Sequence, residues 1–411
     1  MTKAAHFANY GSKENQQVID IISNVAEHGD KAVAEYTEKF DGVKLRSDKF
    51  RVSQDELDRA NQKIDQDVLL CLREAIENVR AYQKDILIDT DNAPRGIRYT
   101  PVKRIGVCVP GASAPLPSTV IMTAVPAQVA GVKEIAVVSP PRHEGSIHPV
   151  ILAVCCELGI NEVYRIGGAQ AVAALAVGTE TIAKVDKIVG PGNKWVQAAK
   201  KNVAGDYVGI DSIAGPSEVL IIANEQANPA WIVADMLSQA EHAADSSAIV
   251  LTDSEPFAKL ILAELQKQGK ELPRAKEATE SLKKHSAIIV LDDMNEAIEM
   301  ADDFASEHLE VQCGQQSREI AEKIQNAGAI FIGPYSPVAV GDYWAGPSHT
   351  LPTGMRAKFA SALTSNDFLK SISIVEYDQE MFVTSAEDIV RIAEIEGLDA
   401  HANSIRIRQQ D

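Results

Sequence analysis

Apolar residues recur at spacings of three and four over the first part of the chain, from Glu14 to about Leu87. This spacing places apolar side chains on one face of an α-helix. It is found in three stretches, QQVIDIISNVAEHG, DKAVAEYTEKF and DVLLCLREAIENVRAYQKDIL. We therefore predict a helical lead-in that ends at the turn formers of DTDNAPRG, residues 89–96.

From Ile105 onward, short runs rich in β-branched residues alternate with helical stretches. The runs are IGVCVPG, EIAVVSP, EVYRIGG, VDKIVGPG, EVLIIAN, AIVLTD, AIIVLDD and AGAIFIG. Strands that alternate with helices are typical of α/β folds with largely parallel sheets. These strands are too many for one small sheet, and Gly and Pro interrupt the rhythm in GIDSIAGPSE, residues 209–218. We therefore predict two α/β units.

The chain after Pro352 has a different pattern, with one strand-like run (SISIVEY) and one helical run (SAEDIVRIAEIEG). Two such elements are too few to form a hydrophobic core of their own. We expect this tail to pack on another part of the protein or on a second subunit.

The composition is typical of a globular protein with more than one domain. The length of 411 residues suggests about two to four folding units. The 40 Lys and Arg residues stand against 58 Asp and Glu, and the net charge of −18 disfavours nucleic acid or an acidic membrane surface as a partner. Five cysteines without paired spacing indicate reduced core thiols. Because neither a signal peptide nor an apolar stretch of membrane-spanning length is found, we expect a cytoplasmic protein.

Two motifs are candidates for catalytic chemistry. In SQAEH, Gln239 and His242 are three residues apart at the end of a helical stretch, a spacing that lets two side chains converge on one metal ion. In SEHLEV, Glu307 and His308 directly precede a strand-like run and could form a general acid/base pair, because burial can tune either group toward neutral pH. Taken alone, each motif is more often a pair of surface residues or a solvated loop.

Two further segments contain ionisable residues. VGDYWAGPSHTLPTG, residues 340–354, is a long run of turn formers without obvious secondary structure, which is typical of functional loops. Its Asp342 and His349 are candidate ligands or substrate contacts. In EGLDAHANS, Glu396 and His401 close the terminal helix, where a capping role is the equal alternative.

Two glycine-rich turns, RIGGAQA (165–171) and VGPGN (189–193), each follow a predicted strand and precede a predicted helix. That arrangement presents backbone N–H groups and a helix N-terminus to an anion, so phosphate binding is expected. Neither turn is the GxGxxG dinucleotide fingerprint. The residues alone therefore predict a metal-assisted α/β enzyme and do not identify nicotinamide chemistry.

Seven blocks of the sequence resemble those of the histidinol dehydrogenase family and occur in the family's order. The resemblance extends from about Ile105 to His401. The blocks are VPGASAPLPSTVIMTAVPAQVAGVKE, GGAQAVAALAVGTETIAKVDKIVGPGN, AGPSEVLIIA, MLSQAEH, SEHLEV, GDYWAGPSHTLPTG and EGLDAHANS.

The resemblance implies roles for individual residues of this chain. The family's zinc ligands fall on Gln239, His242, Asp342 and His401. Its catalytic acid/base pair falls on Glu307 and His308. Its substrate contacts fall on the four zinc ligands and on Ser217, His308, His349 and Glu396. Its cofactor contacts fall on Gln170 and Asn193, and a third, commonly Tyr, falls on Cys108.

The resemblance also implies an architecture of two incomplete Rossmann-like parallel-sheet domains with small segments from the chain ends. We expect an N-terminal helical segment over 1–25, a discontinuous α/β domain over 26–104 and 219–355, and a second α/β domain over 105–218. The tail, 356–411, is expected to cross to the partner of a homodimer and to complete its active site.

The implied activity is the oxidation of L-histidinol to L-histidine with zinc and two NAD, through a bound aldehyde. A relative with the same metal site that acts on another polar alcohol, such as a sulfonated diol, is the alternative enzyme. Because Ser217, His349 and Glu396 match the histidinol pattern, histidinol is favoured. A non-catalytic zinc-stabilised binding protein would not need Glu307 and His308.

Overall fold

The computed structural model describes residues 13–90, 92, 94–111, 115–269 and 275–409. The first half of the predicted N-terminal segment, residues 1–12, lies outside the described residues. Contacts divide the chain into a main unit, Met1–Leu87 with Pro101–Leu369, and a tail unit, Ile88–Thr100 with Lys370–Asp411.

The helices and strands alternate along most of the chain. The helices are α1 Lys13–Asp41, α2 Gln54–Lys63, α3 Gln66–Asp85, α4 Pro117–Val129, α5 Pro149–Glu157, α6 Gly168–Val177, α7 Lys194–Val203, α8 Pro229–Ala240, α9 Glu255–Gln268, α10 Ala275–Lys284, α11 Met294–Phe304, α12 Ser317–Glu322, α13 Val338–Tyr343, α14 Gln379–Ile395 and α15 Asp399–Arg406. The strands are β1 Ile97–Pro101, β2 Arg104–Cys108, β3 Glu134–Val138, β4 Glu162–Tyr164, β5 Lys187–Val189, β6 Gly209–Ile210, β7 Glu218–Ala223, β8 Ser247–Thr252, β9 Ala287–Val290, β10 His308–Gln312, β11 Ala329–Ile332 and β12 Leu369–Ser373.

The main unit contains two five-stranded parallel sheets, as the sequence predicts. The first has the order β4-β3-β2-β5-β6 and the second β11-β10-β7-β8-β9. All residues of β2 and β7 are buried, which is typical of central strands covered by helices on both faces. Counted in chain order, the first strand of each sheet lies beside the fourth. The strand order reverses at this point, and doubly wound folds bind ligands at such a switch point.

The helices of the lead-in pack on the first sheet. Buried residues of α1 share a core with α6 and α7, and buried residues of α2 and α3 share another with α4 and α5. The resemblance predicts that residues 26–104 belong to the same domain as 219–355. The helical part of this segment packs instead on the other sheet, because its apolar faces meet helices of residues 117–203.

Helix α1 joins two of the predicted helical stretches across a kink at Gly29. Gly29 has a φ of 52°, and a Cβ atom there would lie 2.2 Å from Oε2 of Glu180. The backbone N–H of Asp30 donates to the same Glu180 oxygen at 2.7 Å. Glycine therefore allows the helix to bend around this carboxylate.

The five cysteines are free, and Cys71 is exposed on α3, so the prediction of core thiols is wrong for that residue. The other four cysteines are buried or partly buried. No helix of the described ranges is long and apolar enough to cross a membrane.

The tail unit contains a two-stranded sheet of β1 and β12, followed by α14 and α15. The resemblance predicts a tail that begins at residue 356. The tail unit instead contains residues 88–100 and resumes at Lys370, because β1 pairs with β12. Of its described apolar residues, only Ala386, Ala393 and Ala402 are buried.

Candidate active site

Glu307 and His308 lie at the amino end of β10, next to the amino end of β7. His308 is the first residue of β10 and stands opposite Val219 in the parallel pair. The sequence predicts that both residues precede the strand, which is right for Glu307 alone. Ligands of doubly wound folds usually bind at the carboxyl ends of strands. This site therefore lies at the switch point of the second sheet, but at the amino ends of the strands and not at their carboxyl ends.

The imidazole of His308 is buried and held by the backbone. Nδ1 donates to the carbonyl oxygen of Glu218 at 3.1 Å, so Nδ1 carries a hydrogen. Nε2 lies 3.7 Å from Oδ1 of Asp342 and has no hydrogen-bond partner among the described residues. Burial lowers the pKa of His308, but the carboxylates of Glu307 and Asp342 outweigh it and raise the pKa to about 9. Nε2 is thus the ring atom available to a substrate.

The carboxylate of Glu307 is buried beside this imidazole. Its Oε2 accepts hydrogen bonds from Oγ of Ser217 at 2.5 Å and from the backbone N–H of Glu218 at 2.9 Å. The same oxygen lies 3.5 Å from Nδ1 of His308. Burial raises the pKa of Glu307 even though His308 and the Ser217 hydroxyl favour the charged form. Ser217, which the resemblance assigns to the substrate, therefore contacts Glu307 of the predicted acid/base pair directly.

Glu218 is a further member of the site that the sequence analysis missed. Its Oε1 accepts hydrogen bonds from the backbone N–H groups of Glu307 at 3.3 Å and Gly354 at 2.9 Å. Burial, followed by the charge of Glu307, raises the pKa of Glu218 to about 7. A carboxylate next to Ser217 at the start of the apolar run EVLIIA is the signal that could have identified it.

Gln239 lies on α8, and His242 follows the end of that helix. The side chain of Gln239 is 1% exposed, and neither atom of its amide has a hydrogen-bond partner in the described part of the chain. Helix α8 ends at Ala240, so His242 lies in the following turn and not on the helix as predicted. Nδ1 of His242 donates to the carbonyl oxygen of Ser238 at 3.0 Å, which leaves Nε2 as the available ring nitrogen.

Asp342 lies on α13, inside the segment 340–354 predicted to lack secondary structure; that prediction is wrong for residues 340–343. Burial raises the pKa of Asp342, but His308, and then His349 and His242, outweigh it, so the pKa is lowered. Nδ1 of His349 donates to the carbonyl oxygen of Asp342 at 3.3 Å. Burial lowers the pKa of His349. Three imidazoles therefore act electrostatically on one carboxylate.

The described residues contain no group of three or more His, Cys, Asp or Glu side chains arranged to hold a metal ion. The zinc ligands expected in the main unit are one amide, one imidazole and one carboxylate. Only two of these three belong to the four residue types, so the three ligands would not form such a group by themselves. The expected fourth ligand, His401, belongs to the tail unit, where it is exposed on α15. Glu396 is also exposed there and is the C-terminal cap residue of α14.

The glycine-rich turns connect β4 to α6 and β5 to α7, as predicted. Gln170 is buried on α6, and its amide has no hydrogen-bond partner among the described residues. Asn193 caps α7, and its Oδ1 accepts hydrogen bonds from the N–H groups of Trp195 and Val196 at 3.1 and 3.2 Å. Cys108 ends β2, and burial raises the pKa of its thiol to about 12.

The chain is similar to known proteins over nearly its whole length. A family model described as histidinol dehydrogenase matches residues 7–409. A protein of Heliobacterium mobile named histidinol dehydrogenase is 46% identical, with 95% of this chain and 93% of that protein covered. One of the same name from Bacillus subtilis (strain 168) is 45% identical, with 97% and 94% covered. The crystal structure of histidinol dehydrogenase from Elizabethkingia anophelis superimposes with a TM-score of 0.91 at 36% identity and covers 97% of this chain and 93% of that one.

Proposed function

The chain belongs to the histidinol dehydrogenase family, and from this we propose that it oxidises L-histidinol to L-histidine with one zinc ion per chain and two NAD. The reaction removes four electrons and passes through L-histidinaldehyde, which stays bound. The observation that carries the proposal is the buried cluster in which the imidazole of His308 lies between two carboxylates, with Nδ1 beside Glu307 and Nε2 beside Asp342.

The side chains proposed as zinc ligands fit a zinc ion by their chemistry. The buried amide of Gln239 has both atoms without a partner among the described residues, and His242 retains Nε2 for a ligand. Together with Asp342 and with His401 of the tail unit they supply the nitrogen and oxygen donors that zinc accepts. When bound, zinc would anchor the imidazole and amino groups of histidinol and orient its hydroxyl.

His308 is proposed as the base in the alcohol step. The hydrogen bond from Nδ1 to Glu218 fixes the ring, so Nε2 accepts the proton from the substrate hydroxyl. Because the pKa of His308 is about 9 in the absence of ligands, Nε2 must first release its own proton. The carbinol carbon then loses a hydride, and the product is the aldehyde.

Glu307 is proposed as the base in the aldehyde step. It accepts a proton from the water that forms a new C–O bond at the aldehyde carbon, and the resulting hydrate loses the second hydride. Burial raises the pKa of Glu307, which brings it closer to the working pH of a general base. The donors Ser217 and Glu218 fix the orientation of this carboxylate.

Gln170 and Asn193 are proposed as contacts of NAD, which accepts one hydride in each step. The buried amide of Gln170 has no partner among the described residues, and Asn193 uses only Oδ1 for the helix cap. Both residues follow strands of the first sheet at their carboxyl ends, where dinucleotides bind in doubly wound folds.

We further propose a homodimer in which the tail contributes Glu396 and His401 to the partner's site, and in which Ser217 and His349 contact the substrate. The exposed apolar surface of the tail unit supports this, because Val375 and Ile395 are 82% and 86% exposed. Apolar surface of this kind marks association sites.

The stoichiometry of the reaction tests the proposed function. With limiting L-histidinol and excess NAD, zinc-loaded protein should yield two NADH per histidinol, histidine as the product, and no aldehyde captured by an added carbonyl trap. One NADH with trapped aldehyde would reject the two-step reaction. If zinc-loaded protein does not turn over histidinol at all, the substrate is another polar alcohol.

A further inference from the structure

A buried ion pair holds the glycine-rich turn that follows β5. Lys200 of α7 is 1% exposed, and its Nζ pairs with Oδ1 of Asp211, which follows β6. Nζ also donates to the carbonyl oxygen of Gly190 at 3.0 Å. Oδ2 of Asp211 accepts the N–H of Gly190 at 2.7 Å. The pair therefore binds both backbone polar groups of one glycine.

Gly190 lies at the switch point of the first sheet, where β5 runs beside β2. Its φ is +102°, and a Cβ atom there would lie 2.4 Å from the carbonyl oxygen of Cys108 at the end of β2. The turn after β5 and the end of β2 are thus in direct contact. The contact lies at the carboxyl ends of β2 and β5, the position at which doubly wound folds bind dinucleotides.

The rest of the turn is tied to the same helix. The Nε2 group of Gln197 donates to the carbonyl oxygen of Gly192 at 3.4 Å, and Asn193 caps α7. Residues 190–193 are therefore fixed by α7 and by the segment after β6. This places the proposed cofactor contact Asn193 on a rigid loop.

Stability alone does not require this ion pair. Desolvation of a buried lysine and aspartate costs several kcal/mol per ion, and replacing such a pair by apolar residues of similar volume is often neutral or stabilising. The specific contribution of Lys200 and Asp211 is the conformation of Gly190. Because Nζ is buried and already bonded to Asp211 and Gly190, Lys200 acts on the turn and not as a surface cation for a phosphate.

We infer that Lys200 and Asp211 are positioning residues for the dinucleotide: they hold the turn 190–193 in the conformation that receives it. This inference rests on the proposed use of NAD. Preorganisation of this kind lowers the entropic cost of binding. Loss of the ion pair should therefore weaken NAD binding without changing the affinity for histidinol or the zinc content.

The test replaces both charges together in the zinc-loaded full-length protein, as Lys200→Met with Asp211→Leu. NAD and L-histidinol are titrated separately by calorimetry, and thermal unfolding and zinc content are measured. We expect a folded protein whose Kd for NAD rises by about 10- to 100-fold, the range expected for a misplaced contact. Its Kd for histidinol and its zinc content should stay at the values of the parent protein.

A matched control lies at the opposite end of the same sheet. Arg104 and Glu162 begin β2 and β4, and their partly buried ion pair has a shortest N–O distance of 2.6 Å. Arg104→Met with Glu162→Leu should leave NAD binding unchanged, even if it lowers the unfolding temperature. This control separates a general loss of stability from a change in the turn.

A double variant that folds and binds NAD as tightly as the parent would overturn the inference and leave the pair a purely structural role. If the double variant does not fold, Asp211→Asn takes its place, because it keeps the size of the side chain and removes the charge. Normal NAD affinity in that variant would also overturn the inference. If the parent protein binds histidinol but not NAD, the cofactor assignment of the proposed function fails, and the inference fails with it.

Discussion

The backbone N–H of Glu218 donates to Oε2 of Glu307 at 2.9 Å, and the backbone N–H of Glu307 donates to Oε1 of Glu218 at 3.3 Å. Each glutamate therefore fixes the backbone of the other across the junction of β7 and β10. Oε1 of Glu218 also accepts the N–H of Gly354, in the segment that contains His349. Through these bonds, one carboxylate connects the acid/base pair to a proposed substrate loop.

Glu218→Ala should impair catalysis although Glu218 has no proposed contact with the substrate. It leaves the buried N–H of Glu307 and the N–H of the exposed Gly354 without this acceptor, and the buried group alone costs about 1–3 kcal/mol in the free energy of unfolding. Misplacement of Glu307 should lower kcat by up to about 100-fold. Glu218→Gln keeps an oxygen acceptor and should retain most of the activity. Steady-state kinetics and urea unfolding measure both effects, and normal kcat in Glu218→Ala would show that the reciprocal bonds do not matter.

The metal site is tested by the zinc content of His242→Ala. We expect about one zinc per chain in the parent protein and a large loss in the variant, because the proposed site would lose one of its four ligands. His285→Ala is the matched control, since His285 is exposed at the end of α10. Elemental analysis measures both. Full occupancy in His242→Ala would remove this residue from the ligand set.

The two members of the acid/base pair should affect different steps. His308→Ala removes the proposed base for the hydroxyl and should lower turnover of histidinol by about 10²- to 10⁴-fold with zinc retained. Glu307→Gln should impair oxidation of histidinaldehyde more than that of histidinol. Separate assays with the alcohol and the aldehyde measure the difference. An equal loss on both substrates in Glu307→Gln would argue against water activation by Glu307.

The pKa of His308 should depend on Asp342 in the metal-free protein. Asp342 lies 3.7 Å from Nε2 and stabilises the imidazolium, and together with Glu307 it raises the pKa to about 9. Asp342→Asn removes a negative charge and should therefore lower the pKa. At pH values between the two pKa values, the ring is charged in the parent and neutral in the variant. Histidine NMR measures this, with the exposed Asp303→Asn as control; equal values in Asp342→Asn and the parent would contradict it.

The sequence predicts ten of the twelve strands of the described chain, and in central strands such as β2 and β7 burial on both faces leaves a local pattern of apolar residues. It misses β6, which has only two residues, and it misses β1, whose pairing with β12 is non-local. Helix α13 was also missed. Gly341 lets this helix approach the ring of Phe331, where a Cβ atom would lie 2.6 Å away, so tertiary packing and not local sequence stabilises it.

The residues of the site could be proposed from the resemblance, but their arrangement could not. His308 stands opposite Val219, a contact between residues far apart in the chain, and no periodicity encodes it. The same pairing brings Glu218 to Glu307. The placement at the amino ends of the strands follows from this register, and general rules for doubly wound folds point to the other end.

The last prediction concerns the tail. If Glu396 and His401 complete the site of a partner subunit, each active site combines the main unit of one chain with the tail of the other. In a mixed dimer of His308→Ala and His401→Ala chains, one site would then have both lesions and the other neither. Random exchange makes half of the dimers mixed, so about a quarter of all sites should become active from two inactive proteins.

The matched control mixes His308→Ala with Asp342→Asn. Both lesions lie in the main unit, so every site of a mixed dimer contains one of them, and no activity should return. Mass spectrometry of isotope-labelled chains confirms that subunits have exchanged. Recovery in the first mixture alone would assign the tail to the partner's site. If neither mixture recovers despite exchange, His401 serves its own chain, because each site of the mixed dimer then retains one lesion.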